Sequence, residues 1–342
     1  PKRDWSSDEC SSDLLFATWD VGRPVEVDPV TLGFLGEVGS AESWGGDSFR
    51  ARKVLPQVGI HVLNGLLPGT AEEHAAHGLT PVLNSGDQVD AWATFARGRE
   101  VPAADLHLDT GMSRLGLSPK EAEALAAAPT RLAGVEIACL LSHLTCAEEK
   151  DNPMNGAQLR EFQRLRAGLP GRVVSLVNSS GIFLGPEFHF DLARPGAALY
   201  GVNPYADGPN PMMQVVRLQG RILQVRDIDS PRTVGYGATH RAALGRRIAT
   251  VAVGYADGYL RSFSNVGYGF IGEIRVPVVG RVSMDLTTFD VTDVPAALVR
   301  PGGFIDLIGP HNPVDEIARA GGTISYEILT GLGRRYHRIY SG

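Results

Sequence analysis

From Ile60 onward the chain repeats one pattern, a short apolar run followed by a stretch with helical period. IHVLN (60–64) leads into TAEEHAAHG, PVLN (81–84) into DQVDAWATFARG, and ADLHLD (104–109) into SPKEAEALAAA. VEIACLLS (135–142) precedes NGAQLREFQRLRAG, and RVVSLVN (172–178) passes through a turn-and-helix segment into FDLARPGAALYG (190–201). Parallel strands need crossover connections, and strands covered by helices on one face and by a core on the other read as continuous apolar runs. The pattern therefore predicts an α/β fold with six parallel strands between Ile60 and Gly201. A complete (β/α)8-type barrel needs two more, which would have to come from before Ser48. LLFATWD (14–20) offers one, and the second has no candidate. PKRDWSSDECSSD at the start has no period, and residues 21–46 add Gly and Pro without alternation. Residues 1–47 are read as an irregular segment, foreign to the rest, that replaces or lacks the first strand.

Past Pro211 the texture changes. MMQVVRLQGRILQV, RRIATVAVGYADG, EIRVPVVGRVSMDLTTFDV and GGFIDLIG read as strands with few helices between them, and PVDEIARA and residues 325–332 as short helices. The chain thus divides into residues 1–47, a barrel over 48–205 and a mostly β C-terminal domain over 212–342. NPYADGPNP (203–211), rich in Pro, Gly and Asn, is the linker.

Charge and cysteine content exclude several functions. Thirty-two basic against 38 acidic residues leave a net charge of -6, no footprint for nucleic acid or an anionic membrane. Three cysteines make no disulfide framework, and no Cys/His spacing matches a zinc site. Neither a membrane-length apolar run nor a charged-then-apolar leader is present, so a cytoplasmic location is the expectation.

If the six strands are the third to eighth of a barrel, Asn178-Ser179-Ser180-Gly181 follows the seventh and Arg194-Pro195-Gly196 the eighth. Those two loops commonly bind phosphate through backbone N–H groups and hydroxyls, although NSSG alone is equally a capped turn. His107 and Asp109, Arg114 and His143 mark other strand ends, where catalytic groups of barrels sit. In the second domain, Tyr236 and Tyr255 each follow a glycine in Gly-Tyr phrases, and Arg281, Met284 and Asp285 cluster after a strand.

Together LDTGMSRLG, SHLTCAEEKDNPMN, NSSGI, FDLARPGAALYG, VGYGAT, VGYADGY and VGRVSMD resemble, in order and spacing, the alanine racemase family of pyridoxal-phosphate (PLP) enzymes. The resemblance implies a barrel plus a β domain, L-alanine/D-alanine interconversion by two bases, and a homodimer in which one subunit's barrel meets the other's β domain. It makes Tyr236 one base and sets His143 beside the cofactor ring, with Arg194 on the pyridine nitrogen. Asn178, Ser179, Gly196 and Ala197 would line the phosphate site, Arg114 and Met284 would contact the substrate carboxylate, and Tyr255 would line the entrance. A free Tyr has a pKa near 10, a deficit of roughly 4 kcal/mol at working pH, which a neighbouring His and Arg would reduce by favouring the phenolate. A guanidinium only donates, so against the pyridine nitrogen Arg194 would leave the ring a weaker electron sink.

Three departures stand out. The family's second base is the lysine that also holds PLP, in a phrase like Lys-Ala-Asn-Ala-Tyr-Gly; here the lysines are Lys2, Lys53, Lys120 and Lys150, and none stands in such a phrase. Lys53 is expected at the amino end of the strand at Ile60, Lys120 at a helix start and Lys150 in a loop, so impaired activity is the expectation. His107 stands where many members carry a carbamylated lysine that orients the substrate arginine. Arg334 stands where many place a phosphate-binding Tyr, a task an Arg can also perform. Two rival readings are a non-catalytic PLP-binding protein, favoured by the lysine pattern, and a PLP-dependent decarboxylase of the same architecture. The decarboxylase would place a carboxylate rather than Arg194 on the pyridine nitrogen.

Overall fold

The computed structural model describes residues 59–339 and, as backbone, two short segments, β1 (Val25–Val27) and β2 (Phe34–Glu37). These two pair antiparallel, Glu26 opposite Gly36, where the sequence reading expected no regular structure. Ladder bonds are made by backbone groups, so a pair can form without apolar alternation. LLFATWD, Lys2 and Lys53 lie outside the described residues.

The chain forms two compact units. The first holds the described residues through Ala198 with Pro204–Pro209, and the second holds Leu199–Asn203 and the described residues from Asn210.

In the first unit all six expected strands form one parallel sheet in chain order: β3 (His61–Val62), β4 (Thr80–Leu83), β5 (Ala104–His107), β6 (Ile137–Leu141), β7 (Val173–Asn178) and β8 (Leu192–Arg194). Helices α1 (Ala71–His77), α2 (Gly86–Ala96), α3 (Pro119–Ala127) and α4 (Pro153–Arg166) are the crossovers. Their ends are written locally. Ser118 and Glu121 form a capping box ahead of α3, with Pro119 at its first position, and Gly78 ends α1 in the left-handed region. Leu83, Val89, Trp92, Leu106, Leu125, Phe162 and Leu176 pack between sheet and helices. The alternate residues Val82, Cys139 and Leu141 form a second cluster on the other strand face.

The second unit is an antiparallel sheet of order β14-β13-β16-β9-β12-β15. Its strands are β9 (Leu218–Asp227), β12 (Arg247–Val251), β13 (Tyr268–Ile271), β14 (Ile274–Pro277), β15 (Thr287–Asp290) and β16 (Phe304–Ile308). Along central β9, Leu218, Gly220 and Ile222 are buried and the residues between them exposed, the alternation of a half-covered strand. β10 (Arg232–Val234) and β11 (His240–Ala242) make a separate ribbon, and α5 (Val314–Gly321) and α6 (Ser325–Gly331) follow the sheet. No described helix is long and apolar enough to cross a membrane.

Candidate functional site

In the first unit the carboxyl ends of β5 to β8 carry the polar groups singled out in the sequence. After β5 the loop folds back on itself: Leu117 N donates to His107 O at 2.8 Å and Asp109 N to Leu117 O at 2.9 Å. Asp109 Oδ1 accepts from the backbone N–H groups of Gly111, Met112 and Ser113 at 2.9, 3.0 and 3.1 Å. Its carboxylate is thereby committed to shaping the turn. Arg114 stands exposed on that turn.

Arg194, 5% exposed, is the electrostatic centre of this end of the sheet. Its guanidinium donates to Ser175 Oγ and, at 2.5 Å, to the carbonyl of Ser142, the residue before His143. These partners are neutral, and among the described residues no carboxylate lies within salt-bridge distance of it. Burial lowers its pKa to about 10, which leaves it charged at neutral pH. Burial, helped by the Arg194 charge, pushes His143 down to about 4 and His107 to about 3. The result is one buried cation flanked by two neutral imidazoles.

Ser179 links the loops after β7 and β8. Its Oγ accepts from Gly196 N at 2.9 Å and Ala198 N at 3.1 Å, while Asn178 Oδ1 accepts from Gly181 N at 2.9 Å. NSSG is thus a capped turn through Asn178 and, through Ser179, a clasp on two backbone donors flanking Ala197. With its oxygen accepting from both backbone groups, the Ser179 hydroxyl keeps its own proton as a donor suited to an anion such as phosphate.

Sequence reasoning missed the groups beneath this surface. Gln158, fully buried on α4, donates from Nε2 to His143 O at 2.9 Å and Thr110 Oγ1 at 3.2 Å, and its Oε1 accepts from Thr145 N at 2.9 Å. Thr110 Oγ1 lies 2.7 Å from Ser142 Oγ. One amide thus fixes the backbone on both sides of Leu144 and reaches the residue that accepts from Arg194. The signal was available: Gln158 shares a helix face with Phe162 and Leu165, so a polar residue stood in a core register. Asn84, also missed, stood only as the last residue of the PVLN run.

In the second unit, Tyr236 caps the β10–β11 ribbon between Gly235 (φ +72°) and Gly237 (φ +71°). It is 73% exposed and borders an open pocket lined by Arg281, Ser283 and Leu286. Tyr255 N donates to Ser283 O at 3.1 Å and Ala256 N to Met284 O at 3.0 Å, fastening VGYADG to GRVSMD. A Cβ on Gly254 would sit 2.3 Å from both carbonyl oxygens, so only glycine permits this approach. Gly333 N donates to Asp257 O at 3.0 Å, and Arg335 pairs with Asp257 at 3.1 Å and Asp285 at 2.7 Å. That double ion pair, also unforeseen, brings the exposed Arg334 segment to the loops of Tyr255 and Met284. Each unit therefore assembles its own predicted residues: Arg114, His143, Asn178, Ser179, Arg194, Gly196 and Ala197 in one, Tyr236, Tyr255, Met284 and Arg334 in the other. No group of three or more metal-ligating side chains occurs among the described residues.

A parallel (β/α) unit with a polar clasp at its strand ends, followed by an antiparallel unit presenting a glycine-flanked tyrosine, defines the barrel-plus-β-domain class. Residues 34–204 match the alanine racemase N-terminal domain and residues 215–340 the alanine racemase C-terminal domain; the chain belongs to the alanine racemase family. It is 57% identical over 285 residues to an alanine racemase of Rhodospirillum rubrum, covering 83% of this chain and 76% of that protein. To an alanine racemase of Rhizobium meliloti it is 47% identical over 302 residues, 85% of this chain and 80% of the relative. The crystal structure of alanine racemase from Bartonella henselae with covalently bound pyridoxal phosphate is similar at TM-score 0.80 and 40% identity, over 86% of this chain and 82% of that one.

Proposed function

We propose that this chain binds pyridoxal phosphate at the carboxyl ends of β5–β8 and acts on alanine as a racemase, weakly or not at all in the form given by this sequence. The observation that carries the reading is the convergence of Arg194, His143 and the Ser179–Gly196–Ala198 cradle at neighbouring strand ends. The residues fit the group: the cradle for the phosphate, Arg194 as a donor to the ring nitrogen, and Arg334 as a further cation for the phosphate. When bound, PLP supplies the electron-withdrawing ring that acidifies the α-C–H of an amino acid. Arg114 and Met284 hold the substrate carboxylate, Tyr255 shapes the entrance, and Tyr236 carries a proton at its phenol oxygen. The neutral His143 serves as hydrogen-bond partner in the site rather than as a competing cation.

The lysines set the limit. Among the described residues Lys120 opens α3 and Lys150 lies in a turn after β6, and neither belongs to the strand-end cluster. Arg194, with its neutral partners, supports racemisation over decarboxylation, while the lysine pattern keeps a non-catalytic PLP-binding protein as the second reading. The family resemblance, in which one subunit's barrel meets the other's β domain, supports a homodimer with shared sites, and a cytoplasmic location belongs to the same proposal.

The experiment is a PLP titration of the full chain, followed by borohydride reduction, mass measurement and an L-to-D alanine exchange assay, with sedimentation for the dimer. Reversible PLP binding, no reduced adduct and exchange at least a thousandfold below a lysine-bearing relative are expected. A borohydride-fixed adduct with full exchange overturns the impairment, weak but measurable exchange rules out the second reading, and no PLP binding ends both.

A further inference from the structure

The carboxyl ends of β4 and β5 hold an orientation device made of Asn84 and His107. Asn84 is 5% exposed, and its Nδ2 donates to Leu63 O and Val82 O, each at 3.0 Å. Carbonyl oxygens only accept, so both amide protons are committed and the amide cannot be reversed without setting oxygen against two oxygens. Its Oδ1 therefore faces His107 Nδ1, 2.8 Å away, and that nitrogen must carry the proton. Space for the amide comes from Gly65, at φ +85°, where a Cβ would stand 2.7 Å from Asn84 Nδ2.

With Nδ1 protonated, Nε2 of the neutral ring is left with a lone pair. It makes no hydrogen bond among the described residues and is not sealed from solvent. The returning loop passes its edge, since a Cβ on Gly116 would lie 3.2 Å from His107 Cδ2, the carbon bonded to Nε2. Arg114 stands two residues earlier. Arg194, His143, Asp109 and Arg114 are the charged and titratable groups whose fields reach His107, and both arginines oppose a second proton on the ring.

We propose that Asn84 locks His107 in the Nδ1–H tautomer, so that Nε2 acts as a fixed acceptor holding the Arg114 guanidinium at the mouth of the first unit. A guanidinium has only donors, so it can be received by a bare Nε2 and by no other form of this ring. His107 and Asn84 are thus positioning residues acting through Arg114. The inference rests on the reading above in giving Arg114 the substrate carboxylate to bind, but the tautomer stands apart from it.

The test is ¹⁵N NMR of the full chain with labelled histidine, His107 being assigned by difference with His107→Gln, alongside alanine kinetics. From pH 8 to pH 5 the ring is expected to stay neutral with the proton on Nδ1. Arg114→Gln, an exposed change, leaves the tautomer intact and moves the Nε2 resonance. Asn84→Leu mixes the tautomers and raises KM for alanine about tenfold with a smaller change in kcat, the loss of one charge-assisted hydrogen bond. If Asn84→Leu does not fold, the tautomer of the parent chain and its Nε2 response to Arg114→Gln decide the proposal. An Nε2–H tautomer or an imidazolium at pH 6 in the parent chain, or an Nε2 resonance unmoved in Arg114→Gln, overturns the proposal. A chain without exchange activity but with the expected tautomer and an Arg114-dependent resonance supports the device and refutes only the reaction.

Discussion

Gln158 holds three hydrogen bonds with one amide, and each partner is a group that the site needs in place. Replacing it with leucine keeps the volume but strands the carbonyl of His143 and the N–H of Thr145 inside the unit. Leaving buried polar groups unpaired costs about 1–3 kcal/mol apiece, so with two groups stranded Gln158→Leu should destabilise the chain by about 2–6 kcal/mol in urea unfolding. Gln158→Glu, which retains the acceptor for Thr145 N, should lose less if ionisation is avoided at low pH. Much of the site was legible at this scale because its residues stand in local phrases at strand ends. Gln158 and Asn84 were not, because most of their partners lie far off in sequence, and residue type alone does not reveal a distant carbonyl or ring nitrogen.

Strand and helix order could be read because apolar runs and capped helices are short-range signals, as the Ser118–Glu121 box before α3 illustrates. The β1–β2 pair was missed because VEV and FLGE are too short for a period to stand out among the surrounding Gly and Pro, and the joining of VGYADG to GRVSMD because backbone-to-backbone contact between loops leaves little trace in side-chain pattern. Glycine is the exception. Gly254 lacks the atom that would collide with Ser283 O and Met284 O, so Gly254→Ala should force the two loops apart. A loss of about 3 kcal/mol or more is expected, with proteolytic sensitivity rising first around Tyr255. Unchanged stability would mean that the loops separate without penalty.

Taken whole, the molecule keeps His107 and His143 neutral in the fold, with pKa values about 3 and about 4, against roughly 6.5 in an unfolded chain. Below pH 6.5 the unfolded chain then binds more protons at these sites. Their contribution is complete above that pH and fades as pH falls toward 4 and then 3, at up to about 1.4 kcal/mol per pH unit for each ring. Unfolding midpoints measured from pH 7 down to pH 4.5 should therefore fall less steeply in the double variant His107→Gln/His143→Gln than in the parent.

Arg194 places a full positive charge inside the first unit, hydrogen-bonded among the described residues only to hydroxyl and carbonyl oxygens. Such a guanidinium makes the chain's survival a matter of supply: any small dianion that settles nearby should stiffen the protein in proportion to the logarithm of its concentration. Inorganic phosphate alone should raise the melting temperature, and cells starved of vitamin B6 should accumulate less of the protein because its turnover would quicken.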